Sequence, residues 1–291
     1  MPDSGPGGLP GVDATLGRAG GENFTVASRL LPRRVRSELL DIYGYARLVD
    51  EIGDSYEGDR LSALARVETS LRGATAGRED GAHPLVVRAA RLVRAGKVSE
   101  APLIDLIEAN RMDQTVSAYE TVVDLYRYCS LSANPVGRLV LQVFGVLDDE
   151  RAAWSDSICT GLQLVEHWQD VREDALAGRV YLPLEDLSRF EVKAEELALS
   201  GPASPALCAL MSFECGRART LLRDGAPLIA SLRGRLKFAV AGFAAGGHAA
   251  LDALEAQGFD PLGGAVRPSP SRVARHTFAL MFPRRRRGDL R

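Results

Sequence analysis

The chain has 291 residues, 46% hydrophobic and 25% charged, so it can bury a sizeable core and lies outside the composition of disordered chains. A formal net charge of -2 gives no electrostatic ground for nucleic-acid binding, which relies on clustered Lys and Arg. The four cysteines form no CxxC pair, no leader-like N-terminal run is seen, and the longest apolar stretch, residues 238–251, is too short to span a bilayer; a reduced, cytoplasmic protein is expected.

Residues 1–21 carry seven glycines and three prolines with almost no periodic apolar positions, and are expected to form a flexible tail. From Pro32 onward, Val35, Leu39, Ile42, Tyr43 and Ala46 recur at helical spacing, which predicts a long helix over 34–55. The same period returns in most later segments, and strand alternation is nowhere sustained. Breakers at 73–81, 96–99, 178, 201–205, 225–227 and 258–264 divide the chain into about ten helices without an internal repeat. A second long helical stretch is predicted over 149–176. The expected organisation is a single all-α domain over 22–282, followed by a basic tail, 283–291, in which four arginines follow Phe278, Leu280, Met281 and Phe282.

Both long helices end in acidic clusters. In the first, DEIGD, a turn of about 100° per residue puts Asp50 and Asp54 on one face, together with Tyr43, Ala46 and Arg47. In the second, QLVEHWQDVRED, Gln163, Glu166, His167, Asp170 and Asp174 form one stripe while Trp168 points away. Stacked like charges destabilise a helix, so such stripes call for cations. Magnesium takes hard oxygen ligands, commonly one or two carboxylates per ion, and completes its octahedron with water and phosphate oxygens. Two such stripes can hold several ions around one diphosphate. For a lone DxxxD the default reading is a solvated face paired with neighbouring arginines; two of them, the second followed by GRVYLP, make a far more specific combination.

The pieces ENFTVASRLLP, IYGYARLVDEIGD, YCSLSANPVGR and GLQLVEHWQDVREDALAGRVYLP stand in the order of the squalene and phytoene synthase family, which the chain resembles from about residue 22 to residue 258. Within that family ENFTVAS, SANPVGR and HWQD look most like the bacterial hydroxysqualene synthases of hopanoid pathways. The resemblance implies an all-α isoprenoid synthase helical bundle with a central cavity. It implies magnesium ligation through the substrate diphosphate by Asp50, Asp54, Asp170 and Asp174, and diphosphate contacts from Tyr43, Arg47, Arg179 and Tyr181. Gln163 matches the family's cavity glutamine, and Phe24 an aromatic near the entrance. Tyr128 is a further candidate for the cavity wall.

Two departures stand out. Glu166 replaces an asparagine common four residues before Asp170, keeping an oxygen ligand while adding charge. Ala133, Asn134, Pro135, Val136 and Gly137 replace a small AGxVG run, so a proline kink and a polar group, with Ser132 nearby, are expected beside the substrate and able to order a water.

The resemblance further implies that presqualene diphosphate is ionised with two to three magnesium ions, rearranged and quenched by one water to hydroxysqualene, with no reductant. The alternatives are condensation of two farnesyl diphosphates to presqualene diphosphate or squalene, and a catalytically silent assembly subunit; the full set of motif residues argues against the latter. Expected partners are the prenyl diphosphate, pathway enzymes that supply it and a weak peripheral membrane contact through the basic tail. His248 and His276 are read as isolated structural or solvated residues, and Cys208 with Cys215 as packing.

Overall fold

In a computed structural model of the protein, the residues described are 9–12, 31–264 and 268–282. Phe24 and the ENFTVAS stretch lie outside them, as do most of 1–21 and all of 283–291. The described residues are all-α: α1 (Arg33–Ser55), α2 (Arg60–Thr75), α3 (Pro84–Arg94), α4 (Ala101–Met112), α5 (Val122–Ser132), α6 (Asn134–Val143) and α7 (Asp149–Gln169) come first. There follow α8 (Val171–Leu176), α9 (Leu184–Arg189), a 3-10 turn (Ala194–Ala198), α10 (Pro205–Asp224), α11 (Ala226–Ser231), α12 (Gly234–Ala256) and α13 (Pro270–Met281). Among the described residues the thirteen α-helices exceed the expected number, about ten, because α8, α9 and α11, at 6 residues each, are too short to leave a periodic signature.

Over the span read as one domain, the chain divides into two compact units, Met1–Val116 with Ser130–Asp149 and Ser117–Cys129 with Glu150–Arg291. In the first, α1 packs against α2, α3, α4 and α6. Its apolar positions Leu39, Ile42, Leu48, Val49 and Ile52 are buried with Leu64, Leu71, Leu85, Leu103, Ile107 and Leu139. Each such side chain contributes about 1.5–3 kcal/mol on burial. Tyr45, fully buried, donates its hydroxyl to the Leu103 carbonyl at 3.0 Å. The helix ends are capped locally: Asp59 accepts from Ser62 N at 3.0 Å to start α2, and Pro84 occupies the first turn of α3. His83 caps that helix through Nδ1 and reaches the Pro10 carbonyl with Nε2 at 2.9 Å, while Leu9 is buried in the same core. Residues 9–12, inside the stretch expected to be a tail, are therefore packed.

In the second unit α12 packs on α10, α11 and α13. Asp252 joins α10, α12 and α13: Arg219 lies 2.9 Å from it, Arg275 3.2 Å and His276 2.7 Å. His248 and His276, expected to stand alone, stack with centroids 5.4 Å apart. Their 28-residue separation in the chain hid the contact, which forms where α13 folds back along α12.

Two further expectations are corrected. Pro135 does not kink a continuous helix. α5 ends at Ser132 and α6 begins at Asn134, so Pro135 sits in a first turn, where a missing N–H leaves no hydrogen bond unmade. The long stretch 149–176 is likewise broken at Asp170, whose φ of -108° and ψ of 15° separate α7 from α8. The i→i−4 bonds nevertheless run through it, Asp170 N to Glu166 O at 3.1 Å and Asp174 N to Asp170 O at 2.8 Å, so the acidic stripe keeps its phase.

Candidate functional site

The first acidic cluster lies at the C-terminal end of α1. Gly53, the glycine of DEIGD, is buried where α4 approaches: a Cβ there would stand 2.0 Å from Asn110 Oδ1. This close approach lets Asn110 Nδ2 reach Asp50 Oδ1 at 3.3 Å and Gln114 Nε2 reach the Gly53 carbonyl at 3.1 Å. Burial pushes the Asp50 carboxyl up to about 6, against the lowering hydrogen bond from Asn110; Asp54 and Asp113 raise it further, and Arg47 opposes them. One turn earlier, the Arg47 Nε is buried with no protein hydrogen-bond partner. Asp54 is exposed and Tyr43 half-buried on the same helix.

At the junction of α5 and α6 the same unit holds Ser132, Ala133, Asn134 and Gly137. Asn134 is buried, and Ser132 Oγ is buried without a protein partner. Buried polar atoms are almost always satisfied, so both Arg47 Nε and Ser132 Oγ mark places for a ligand or water.

The second cluster is built by pairing of two extended pieces. Ser117 and Tyr119 accept from Val180 N at 2.7 Å and Leu184 N at 2.9 Å, which lays 117–121 beside GRVYLP. Gly178, at φ 80°, terminates α8, and Arg179 N bonds back to the Asp174 carbonyl at 2.8 Å. Tyr119, Tyr128 and Tyr181 consequently gather with centroids 5.5–5.9 Å apart. His167 stacks on Tyr181 at 3.6 Å with 12° between the planes.

Burial, and then the charge of Arg179, push His167 down to about 3, so it is neutral. Its Nε2 lies 3.3 Å from Gln163 Nε2 and accepts from that amide; Nδ1 therefore carries the proton, 4.0 Å from Asp174 Oδ2. Glu166 and Asp170 are exposed, and burial raises Asp170 above the usual carboxylate range, Glu173 adding to it. Among the described residues no group of three or more His, Cys, Asp or Glu side chains stands close enough to hold a metal by itself. The donors present fit magnesium bound together with a diphosphate, where one or two carboxylates per ion suffice.

Sequence reasoning missed Asn110, Gln114 and Tyr119, and read His167 only as part of a stripe. Asn110 left a faint signal, a polar residue in helical phase with Leu103, Leu106 and Ile107. Tyr119 left none, because its place depends on pairing with a strand-like piece 62 residues away.

A family model described as squalene/phytoene synthase matches residues 18–275. The hydroxysqualene synthase of Rhodopseudomonas palustris is 35% identical over 218 residues, 73% of this chain and 72% of its own length. The phytoene synthase of Mycobacterium bovis is 29% identical over 226 residues, 76% of this chain and 73% of that protein. Among solved structures, squalene synthase HpnC from Alicyclobacillus acidocaldarius matches with a TM-score of 0.79 at 39% identity, covering 84% of this chain and 92% of that one. The motifs, the all-α architecture and these likenesses agree, and the chain belongs to the squalene/phytoene synthase family, whose members process prenyl diphosphates.

Proposed function

We propose that this protein releases diphosphate from presqualene diphosphate and that the cation, once its carbon skeleton has rearranged, is captured by one water, giving hydroxysqualene. The observation that carries the reading is the Arg47–Asp50 pair: a buried N–H without a protein acceptor, one turn from a half-buried carboxyl crowded by other acids. The donor calls for an anionic oxygen and the carboxylate for a cation, which together describe a metal diphosphate. Similarity to a hydroxysqualene synthase supports the choice of substrate.

Asp50, Asp54, Glu166, Asp170 and Asp174 are the proposed magnesium ligands, for on the order of two to three ions. When bound, magnesium neutralises the diphosphate and makes it a better leaving group. Arg47 and Arg179 grip phosphate oxygens, and Tyr43 donates its hydroxyl to them. The carbon–oxygen bond breaks with its electron pair leaving on diphosphate. Tyr128 and Tyr181 turn aromatic surface to the cation, a contact of about 0.5–2 kcal/mol for each ring. Neutral His167 adds no competing positive charge beside them. Gln163 is proposed as a cavity residue, as are Ala133 and Gly137, and Ser132 with Asn134 holds the water that forms the new carbon–oxygen bond to the rearranged cation and gives up a proton. Atoms and electrons balance without a reductant.

A second reading, condensation of two farnesyl diphosphates, is favoured by the 29% identity to a phytoene synthase and by the likeness to a solved squalene synthase. Phe278 and Phe282, 67% and 62% exposed with rings 5.0 Å apart, support a further proposal, that the end of α13 and the arginines after it touch anionic lipid. Among the described residues no helix is long and apolar enough to cross a membrane.

The test is incubation of purified protein with magnesium and either presqualene diphosphate or farnesyl diphosphate in 18O-labelled water, first without and then with a nicotinamide reductant. An extracted alcohol carrying the label is expected. Squalene alone, formed only with added reductant, replaces this reading by the reductive one, and absence of diphosphate release from either substrate points to the silent subunit.

A further inference from the structure

Behind the second acidic stripe lies a charged cluster that the chemistry above does not use. Glu214, on α10, is fully buried, and its Oε1 lies 2.6 Å from Arg217 Nη1. The same nitrogen lies 2.8 Å from Asp186 Oδ2 on α9, a residue only 3% exposed. Two buried carboxyls thus share one guanidinium nitrogen. Glu214 Oε2 is buried and accepts from no donor. As an ionised oxygen it would be stranded; a proton on the Glu214 carboxyl removes that charge and can be shared with Asp186, which meets the same Arg217 nitrogen.

The cluster touches the catalytic elements on two sides. The backbone carbonyl of Glu214 accepts the indole N–H of Trp168 at 3.3 Å, two residues before Asp170 on the opposite face of α7. Asp186 opens α9 directly after the Tyr181 segment. On the outer side Arg217 lies over the Phe213 ring, 4.8 Å from its centroid, and lines a cleft of ≈ 590 Å³ together with Tyr126 and Thr220.

We propose that Glu214 is a positioning residue that keeps its proton and donates it to Asp186, so that Arg217 closes the pair and holds Trp168 and α9 in register behind the second acidic cluster. The groups facing Glu214 are Asp186 from α9, Arg217 and Cys215 from α10 and Tyr126 from α5, and α7 contributes the uncharged Trp168. Burial pushes the Glu214 carboxyl up to about 8; Arg217 opposes this and the neighbouring Asp186 adds to it. In the unfolded chain the same carboxyl titrates at 4.5. Folding therefore takes up a proton between these two values, and stability from this group falls as pH rises from about 4.5 to about 8 and is level beyond. The inference does not depend on the substrate.

The experiment compares the full chain, Glu214→Gln and Asp186→Asn by thermal unfolding and by Trp168 fluorescence in a Trp154→Phe background, from pH 5 to 9. Glu214→Gln preserves the neutral donor, so its advantage in Tm over the parent should grow with pH up to about 8 and then stay constant. The parent's Trp168 emission should titrate with a midpoint near 8, and the Glu214→Gln protein should show no such transition. Diphosphate release should lose the corresponding alkaline limb in the same variant. A Tm difference that does not vary with pH, or an unchanged fluorescence titration in Glu214→Gln, overturns the proposal. If that variant does not fold, Asp186→Asn decides: leaving Glu214 with Arg217 and without the Asp186 carboxylate should lower the midpoint from about 8, and an unmoved midpoint overturns the proposal equally.

Discussion

Asp50 shows how a single side chain trades stability for chemistry. Its folded value of about 6 lies above the ordinary 3.8, so its neutral form is the one the fold prefers. Stability from this group is full below about pH 4 and is lost as pH rises through about 6, to the extent of about 3 kcal/mol for a shift of that size. Asp50→Asn escapes that loss. At pH 7.5 without magnesium it is expected to unfold at a higher temperature than the parent, while diphosphate release falls on the order of 100-fold. In the parent, release should decline as pH drops below about 6, where the ligand form of Asp50 is lost. A variant that keeps parental turnover at saturating magnesium would remove Asp50 from the metal site. Arg47→Lys tests the neighbouring donor. A lysine carries the charge but has no N–H at the Nε position and no two-pronged grip, so turnover should drop although the net charge of the helix is unchanged.

Among the elements, the crossing of α1 and α4 depends on the absence of one side chain. Gly53→Ala would drive a methyl group to 2.0 Å from Asn110 Oδ1 and force the amide aside. The expected cost is about 1–3 kcal/mol of stability. Because the Asn110 hydrogen bond lowers the Asp50 carboxyl, its loss should also shift the acid limb of activity to higher pH. Combining Gly53→Ala with Asn110→Ala should cost less than the sum of the two, since the clash is then relieved; additive unfolding free energies would show that the two residues do not meet. The break between α5 and α6 makes a different prediction. Ser132→Ala deletes a buried hydroxyl that has no protein partner, so stability should hold or rise by about 1 kcal/mol. The fraction of alcohol among the products should fall if that hydroxyl holds the water, and an unchanged product ratio would assign the orphaned oxygen to something else.

At the scale of the whole molecule the chain end separates solution chemistry from a surface role. Deleting 283–291 is expected to weaken co-sedimentation with anionic vesicles at low salt and to leave turnover in detergent nearly unchanged. Replacing Phe278 and Phe282 by serine should weaken it further, because both rings are exposed, one on α13 and one just after it. Equal sedimentation of all three proteins would leave the tail as a solvated terminus.

The all-α class, the long helix that ends in DEIGD and the phase of each acidic stripe were determined by the sequence alone, because a period of 3.6 residues and i, i+4 spacing are local properties of the chain. Gly53 was visible too, but only as a letter of a motif. The tertiary structure supplied its reason, the approach of Asn110 from a helix 57 residues further on. Pairing of 117–121 with 180–185, which brings Tyr119 to Tyr181 and His167, is a non-local hydrogen-bonding choice with no periodic trace. The helix start at Asn134 was misread because a proline two residues inside a new helix and a proline in the middle of an old one look the same until the backbone is traced. The same holds for charge: sequence counts Asp50, His167 and Glu214 as ordinary acids and a base, whereas burial, a property of the packed molecule only, makes one carboxyl half-protonated near pH 6, the imidazole neutral and the other carboxyl a proton carrier.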